Sequence, residues 1–188
     1  MAGEQLTKTA YVILGMLTLG PRTGYEIKSL VDVSTRFFWA ASYGQIYPEL
    51  NRLEERGLIR GERDDADGRR RKAYELTADG ERALNEWLTS RDPLHFELRH
   101  EGVLKLFFAD ALDAAGRLEL LRRMRAEHER VRDQLRSIEP QATEKGEEKG
   151  SEMPLFVLHW GIEYQEFIIG WCERMEQELA DRAAAERS

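Results

Sequence analysis

Residues 42–57 read Ser-Tyr-Gly-Gln-Ile-Tyr-Pro-Glu-Leu-Asn-Arg-Leu-Glu-Glu-Arg-Gly. Ser42 and Gln45 have the spacing of a capping box, in which each side chain satisfies an orphan backbone N–H at a helix start. Ile46, Leu50 and Leu53 recur at i, i+4, i+7 and share one buried stripe. Gly44, Gln45, Pro48, Asn51, Arg52 and Glu55 fall outside that stripe, with Tyr43 and Tyr47 on its border. Pro48 removes one helical bond, to the carbonyl of Gly44, near the N-terminus and on the exposed side where the loss is smallest. The spacing predicts a short helix anchored on its back. Its N-terminal front shows Ser, Gln, Tyr, Asn and Arg, groups able to bond base edges and phosphates. Alone, the same pattern also describes an ordinary amphipathic surface helix, so the flanks must decide.

Upstream, Thr7 or Thr9 begins a helix with Ala10, Ile13, Leu14 and Leu17 on one face, and Gly20-Pro21 stops it. Thr23 and Glu26 form a second capping box, followed by Ile27, Leu30 and Val31. Phe37-Phe38-Trp39 is expected to plug the core beneath these helices. The second and third helices then make a helix-turn-helix pair. After Gly57 the period changes: Tyr74 and Leu76 alternate with polar residues, and Asp67-Gly68 is a strong turn signal, which predicts a β-hairpin. Arg69, Arg70, Arg71 and Lys72 follow its tip. Such a run is by itself a solvated edge; beside a recognition helix it can track phosphates along the minor groove. Three helices and a basic two-stranded wing make a winged helix-turn-helix. Thr77 caps a further helix whose Ala83, Leu84, Trp87 and Leu88 pack on that domain. Pro93 marks the boundary, giving domains 1–92 and 93–188.

The chain has 188 residues, 41% hydrophobic and 34% charged. No apolar run approaches the roughly 20 residues of a membrane span, and no signal peptide is read at the start. One cysteine, Cys172, excludes an internal disulfide framework and points to a reducing cytoplasm. The net charge is −7. Residues 1–90 carry 13 Lys/Arg against 14 Asp/Glu, net −1, whereas 91–188 carry 15 against 21, net −6. A nearly neutral first half can still present a basic face.

Several motifs now stand in order: Tyr11-Val-Ile-Leu-Gly15, Gly20-Pro21 with Gly24-Tyr-Glu-Ile27, Ser42 to Leu50, Arg52 to Leu58, and Gly68 to Thr77. Over residues 7–90 they resemble the PadR family of bacterial transcriptional regulators. The second half resembles, by pattern, the group carrying a helical virulence-activator-like domain. The resemblance implies a homodimer on a pseudo-palindromic double-stranded DNA operator, with the helix from Ser42 in the major groove and the Gly68–Lys72 wing alongside. It also implies regulation by a small ligand in some members. The DNA-facing set is Thr23, Tyr25, Lys28, Ser42, Tyr43, Gln45, Tyr47, Asn51, Arg52, Arg69, Arg70, Arg71 and Lys72. Asn51 and the acids of residues 64–67 bear on sequence preference and wing affinity.

In the second half, Leu104, Phe107, Phe108, Ala111 and Leu112 read as a stripe on one helix. Asp113 caps the next, where Leu121, Met124, His128, Val131, Leu135 and Ile138 form a heptad seam. Arg122, Arg123, Arg125, Arg130, Arg132 and Arg136 lie off it among Glu127, Glu129 and Asp133, as a salt-bridged face or a second basic patch. Pro140 to Pro154 reads as a mobile polar loop. A last helix from Leu155 to about Ala184 carries two apolar seams, too wide for one small bundle, which implies packing on a twofold mate. Leu121, Met124, Val131, Leu135, Leu158, Ile162 and Ile169 are assigned to dimerisation. Trp39, Trp160 and Tyr164 are candidates to line a pocket between the domains for a small planar or aromatic effector; core packing is the plainer account.

No metal or cofactor is expected. His159, Glu163 and Glu166 share a face but read as a boundary histidine with two solvated acids, Cys172 reads as an inert core thiol, and no hydrolase, zinc-protease or nucleotide-binding motif appears. The expected architecture is mainly α with a small β-hairpin wing: a winged helix-turn-helix followed by a helical dimerisation domain. The expected function is non-enzymatic: a DNA-binding repressor, released by a ligand. The alternatives are a winged-helix protein-interaction module, or a ligand or metal sensor without specific DNA binding.

Overall fold

The computed structural model describes residues 6–39, 41–64, 71–94 and 96–185, with residues 63, 64, 71 and 149 described by their backbone alone. The chain divides into two compact units, Met1–Leu94 and His95–Ser188.

In the first unit α1 spans Lys8–Thr18, with Thr7 Oγ1 accepting from the Ala10 N–H as its cap. Helix α2 spans Gly24–Val33 behind the Thr23/Glu26 capping box, and α3 spans Tyr43–Glu55. Strands β1 (Ile59–Asp64) and β2 (Arg71–Leu76) pair antiparallel, with Ile59 opposite Leu76 and Gly61 opposite Tyr74. The chain before α2 adds a bridge to β2, Thr23 opposite Ala73, so the hairpin is tied to the helix-turn-helix by backbone. Helix α4 (Ala78–Leu88) closes the unit.

One core joins these elements: Ala10, Ile13, Leu14, Ile27, Val31, Ile46, Leu50 and Leu53 are all fully buried. Tyr11 and Trp87 stack across α1 and α4 with ring centroids 4.6 Å apart. Phe37-Phe38-Trp39 does not plug this core. Thr35–Phe37 is a short 3-10 turn, Phe38 and Trp39 are about half exposed, and Ile27, Val31, Ile46 and Leu50 already fill the space. Leu88, at the end of α4, is likewise exposed.

The second unit contains α5 (Glu101–Phe107), a 3-10 turn (Ala109–Ala111), α6 (Ala114–Lys149) and α7 (Met153–Ala185). The stripe read over 104–112 is not one helix. The backbone leaves helical geometry at Phe108; Leu104, Phe107, Phe108 and Leu112 are exposed, and only Ala109 is buried. Gly102 and Leu106 carry the packing toward α6 instead, since a Cβ on Gly102 would stand 2.9 Å from Met124 Sδ.

The segment after Pro140 also departs from the loop reading. Helix α6 runs through Pro140 to Lys149 and ends at Gly150, whose φ of 61° is the left-handed geometry glycine takes without penalty. Residues 141–149 are mostly good helix formers, and Glu139 ties this stretch to α7 through His159 at 2.9 Å. A proline costs one turn's bond, and packing along a long neighbour outweighs that.

Candidate nucleic-acid interface

Helix α3 is positioned by its back. Ile46, Leu50 and Leu53 are fully buried, while Ser42, Tyr43, Gln45, Tyr47, Asn51 and Arg52 are exposed. Its start is held by Gln45, whose Oε1 accepts from the Ser42 backbone N–H at 2.9 Å and from the Ser42 hydroxyl at 3.1 Å. Tyr43 and Tyr47 stack one turn apart, 6.1 Å between centroids. The result is an ordered polar and aromatic front on a rigid support.

The remaining candidates divide. Tyr25 is exposed, and Thr23 serves as the cap of α2. Lys28 departs from the DNA-facing set, because its side chain is only 13% exposed: its ammonium pairs with Asp32 and lies over the Tyr43 ring, 5.2 Å from the centroid. It braces the aromatic front instead of projecting from it. Lys72 bridges to Glu54 at 2.5 Å and sits over Tyr74, which links the tip-side start of β2 to the C-terminal end of α3. Burial lifts the Tyr74 phenol above its ordinary pKa, so it stays a neutral neighbour for that pair. On the other side of the hairpin Arg22 and Arg60 both reach Glu75. Arg69 and Arg70 lie outside the described residues, and of Arg71 the backbone alone is described, at the start of β2.

Two charged residues that position the site are not apparent from the sequence reading. Glu49 is buried, accepts from Thr7 Oγ1 at 3.0 Å and pairs with Arg52 at 3.3 Å, tying the start of α1 to the front of α3. The signal was its place one turn after Ile46 on the buried stripe, where a carboxylate requires partners. Glu54 is the other; only the hairpin's docking reveals its role.

In the second unit the residues assigned to dimerisation pack within the chain. Leu121, Met124, Leu135, Leu158, Ile162 and Ile169 are buried within one chain and Val131 is half-buried; α6 and α7 use them on each other. They leave little surface for a second copy. The exposed apolar groups of α7 are Met153, Phe156, Val157, Trp160 and Phe167. Trp160 stacks on Tyr164 at 5.8 Å, and Trp39 belongs to the other unit. A shallow apolar cavity of about 410 Å³ lies between α5 and α6, lined by residues including Leu104, Phe108, Leu112 and Leu120. Neither Trp160 nor Tyr164 lines it. The arginines of α6 are laced to acids: Arg125 to Glu129 and Glu176, Arg130 to Glu127, and Arg136 to Glu166. His159 and Glu166 thus face different partners on α6 and do not converge. Among the described residues no group of three or more His, Cys, Asp and Glu could hold a metal ion. Burial raises the Cys172 thiol pKa, which keeps it protonated. No helix among the described residues is long and apolar enough to cross a membrane.

Known proteins are similar along most of the chain. The profile of the transcriptional regulator PadR-like family matches residues 13–86, and that of the virulence activator alpha C-terminal region matches 98–180. The negative transcriptional regulator PadR of Bacillus subtilis is 36% identical over 104 residues, 54% of this chain and 57% of that protein. The match thus spans a little over half of that relative's length. A crystal structure of B. subtilis PadR in complex with operator DNA shares the fold, with a TM-score of 0.83 and 24% identity, covering 94% of this chain and 99% of that one. The crystal structure of B. subtilis PadR in complex with p-coumaric acid is 26% identical with a TM-score of 0.70, covering 91% of this chain and 98% of that one.

Proposed function

Because the chain belongs to the PadR-like family of transcriptional regulators, we propose that it is a cytoplasmic DNA-binding repressor that acts as a homodimer on a pseudo-palindromic operator. The observation that carries this reading is the front of α3. Ser42, Tyr43, Gln45, Tyr47, Asn51 and Arg52 are all exposed on a helix whose opposite face is fully buried. A helix held this way enters a major groove with its N-terminal residues on base edges, while cations at the hairpin meet phosphates. One such helix reads half a site, so a second copy is required; the exposed apolar residues of α7 supply a surface for it. The repressor sign follows the negative regulator of B. subtilis.

The effector in this proposal is a small planar or aromatic molecule. The stacked Trp160–Tyr164 pair suits a flat ring, and a relative at 26% identity has been crystallised with p-coumaric acid. For such a ligand to release DNA, it must bind more tightly to a spacing of the two α3 helices unlike the DNA-bound one.

The test is a footprint and gel shift with DNA upstream of the protein's own gene, repeated with p-coumarate as the probe ligand. A protected pseudo-palindrome, with sequence-selective binding at moderate salt, supports the reading. Binding that is indifferent to sequence assigns the winged helix to protein interaction, and unchanged binding with p-coumarate removes that ligand.

A further inference from the structure

We propose that Gln45 reads its base solely as a hydrogen-bond donor, and therefore selects guanine at one position of each half-site. The inference rests on the placement of α3 in the major groove argued above. A backbone N–H can only donate, so the Gln45 atom 2.9 Å from the Ser42 nitrogen is its carbonyl oxygen, and the orientation of the amide is settled by chemistry. The Ser42 hydroxyl, 3.1 Å away, gives its proton to the same oxygen. A carbonyl oxygen has two lone pairs, and both are taken. What the exposed Gln45 side chain has left is its NH₂ group, with two hydrogens and no acceptor.

The usual glutamine–adenine pairing needs one donor and one acceptor, because adenine shows N7 to accept and N6 to donate. Gln45 meets that requirement only by giving up the start of its own helix. Guanine shows N7 and O6, both acceptors, which match the two hydrogens without disturbing the cap; thymine O4 is the next choice. The residue that starts the helix thereby also restricts which base the helix tolerates.

Selection of duplexes from a randomised library by the full-length protein tests this, with Gln45→Glu and Gln45→Lys beside the wild type. Glutamate keeps an acceptor for the Ser42 N–H and hydroxyl but removes the donors; lysine keeps donors and gives up the cap. The wild type is expected to enrich guanine at one position per half-site, with discrimination of roughly 5- to 150-fold over adenine, the range for a good base contact. That preference is lost in Gln45→Glu and retained in Gln45→Lys, with thermal melting showing that both variants fold. Adenine enriched at a position that Gln45→Glu relaxes overturns the proposal, as does a preference that Gln45→Glu leaves unchanged. In either event the helix placement stands. Wild-type protein that enriches no sequence at all overturns both.

Discussion

His100 Nε2 lies 2.8 Å from His128 Nε2, and only one arrangement of protons serves the groups around that contact. The Val103 N–H donates to His100 Nδ1 at the start of α5, so Nδ1 carries no proton. Neutral His100 therefore donates from Nε2, His128 accepts at its own Nε2, and His128 Nδ1 donates to the buried Gln165 Oε1 at 2.5 Å. An added proton on His100 must take either the nitrogen that caps α5 or none. Burial first, then the neighbouring His128, lowers the His100 pKa below its ordinary 6.5.

With the folded pKa below the unfolded one, the unfolded chain binds more protons as pH falls under about 6.5, so stability is lost from there down to the folded value. Glu101 and Glu127, whose pKa values are lowered by Lys105 and Arg130, respond only below their ordinary 4.5, a separate window. Melting followed between pH 7.5 and 5 is expected to fall for the wild type. It should stay level for His100→Asn, which keeps a cap acceptor and cannot titrate. Identical slopes for the two proteins would show that this histidine is not what responds.

Gly80, in the first turn of α4, should not tolerate alanine. A Cβ there would press on the carbonyl oxygen of Leu58, which already accepts from Thr77. Backbone yields less readily than a side-chain tip, and overpacking of this kind costs about 1–3 kcal/mol. Chemical denaturation of Gly80→Ala measures it. A destabilisation below about 0.5 kcal/mol would mean that α4 can slide away from the β1 end.

Thr7 and Glu49 are expected to be energetically linked across 42 residues of sequence. Thr7→Ala removes the α1 cap, about 1 kcal/mol, as well as its bond to the buried carboxylate. A double-mutant cycle with Glu49→Ala separates the two and should leave a coupling of roughly 1 kcal/mol. Arg52→Ala should cost less than about 1 kcal/mol, because that side chain is 66% exposed. Zero coupling in the cycle would place the Thr7 hydroxyl outside the stabilising network.

Where the sequence can and cannot be read follows from the kind of interaction involved. The first unit is legible because its signals are local: Thr7, Thr23, Ser42 and Thr77 each start a helix, and Ile46, Leu50 and Leu53 mark a face by spacing alone. The roles of Glu49, Lys28 and Lys72 escape such a reading because they depend on partners in other elements or on side-chain placement: Thr7, the Tyr43 ring and Glu54. Charge type says a group can meet phosphate, not that a neighbour has already claimed it. The seam on α6 and α7 is visible in the period, but periodicity does not say whether the helix that covers it belongs to the same chain.

Lys72 should accordingly contribute least of the four cations at the hairpin to DNA affinity. Its nitrogen is held by Glu54 and Tyr74. Each phosphate deprived of its protein cation flattens the log–log salt dependence by about one unit. Arg69→Ala and Arg70→Ala are each expected to show that change, whereas Lys72→Ala leaves the slope nearly as it was and loosens the hairpin instead. Fluorescence anisotropy with one duplex from 50 to 200 mM salt gives all three slopes. A slope flatter by a full unit in Lys72→Ala would mean that the Glu54 bridge opens on DNA.

Which surface joins two copies can be decided by two substitutions of the same chemistry. On α7, Met153, Val157, Trp160, Tyr164 and Phe167 follow one another at spacings of four, three, four and three residues, a second apolar stripe beside the one formed by Leu158, Ile162, Ile169 and Cys172. The row of Leu158, Ile162, Ile169 and Cys172 is consumed by α6. The row from Met153 to Phe167 leaves Trp160 and Phe167 more than half exposed, an arrangement soluble proteins keep for partners. A carboxylate at Phe167 meets water in the single chain, so Phe167→Glu should fold normally yet sediment as a monomer. It should also lose most operator affinity, since each copy then reads only half a site. A carboxylate at Leu121, 3% exposed, has no such refuge, and Leu121→Glu should unfold the helical unit at any concentration. Analytical ultracentrifugation with melting separates the two cases. A Phe167→Glu protein that remains dimeric would move the interface off this stripe, leaving the exposed residues of α5 as the next surface to change.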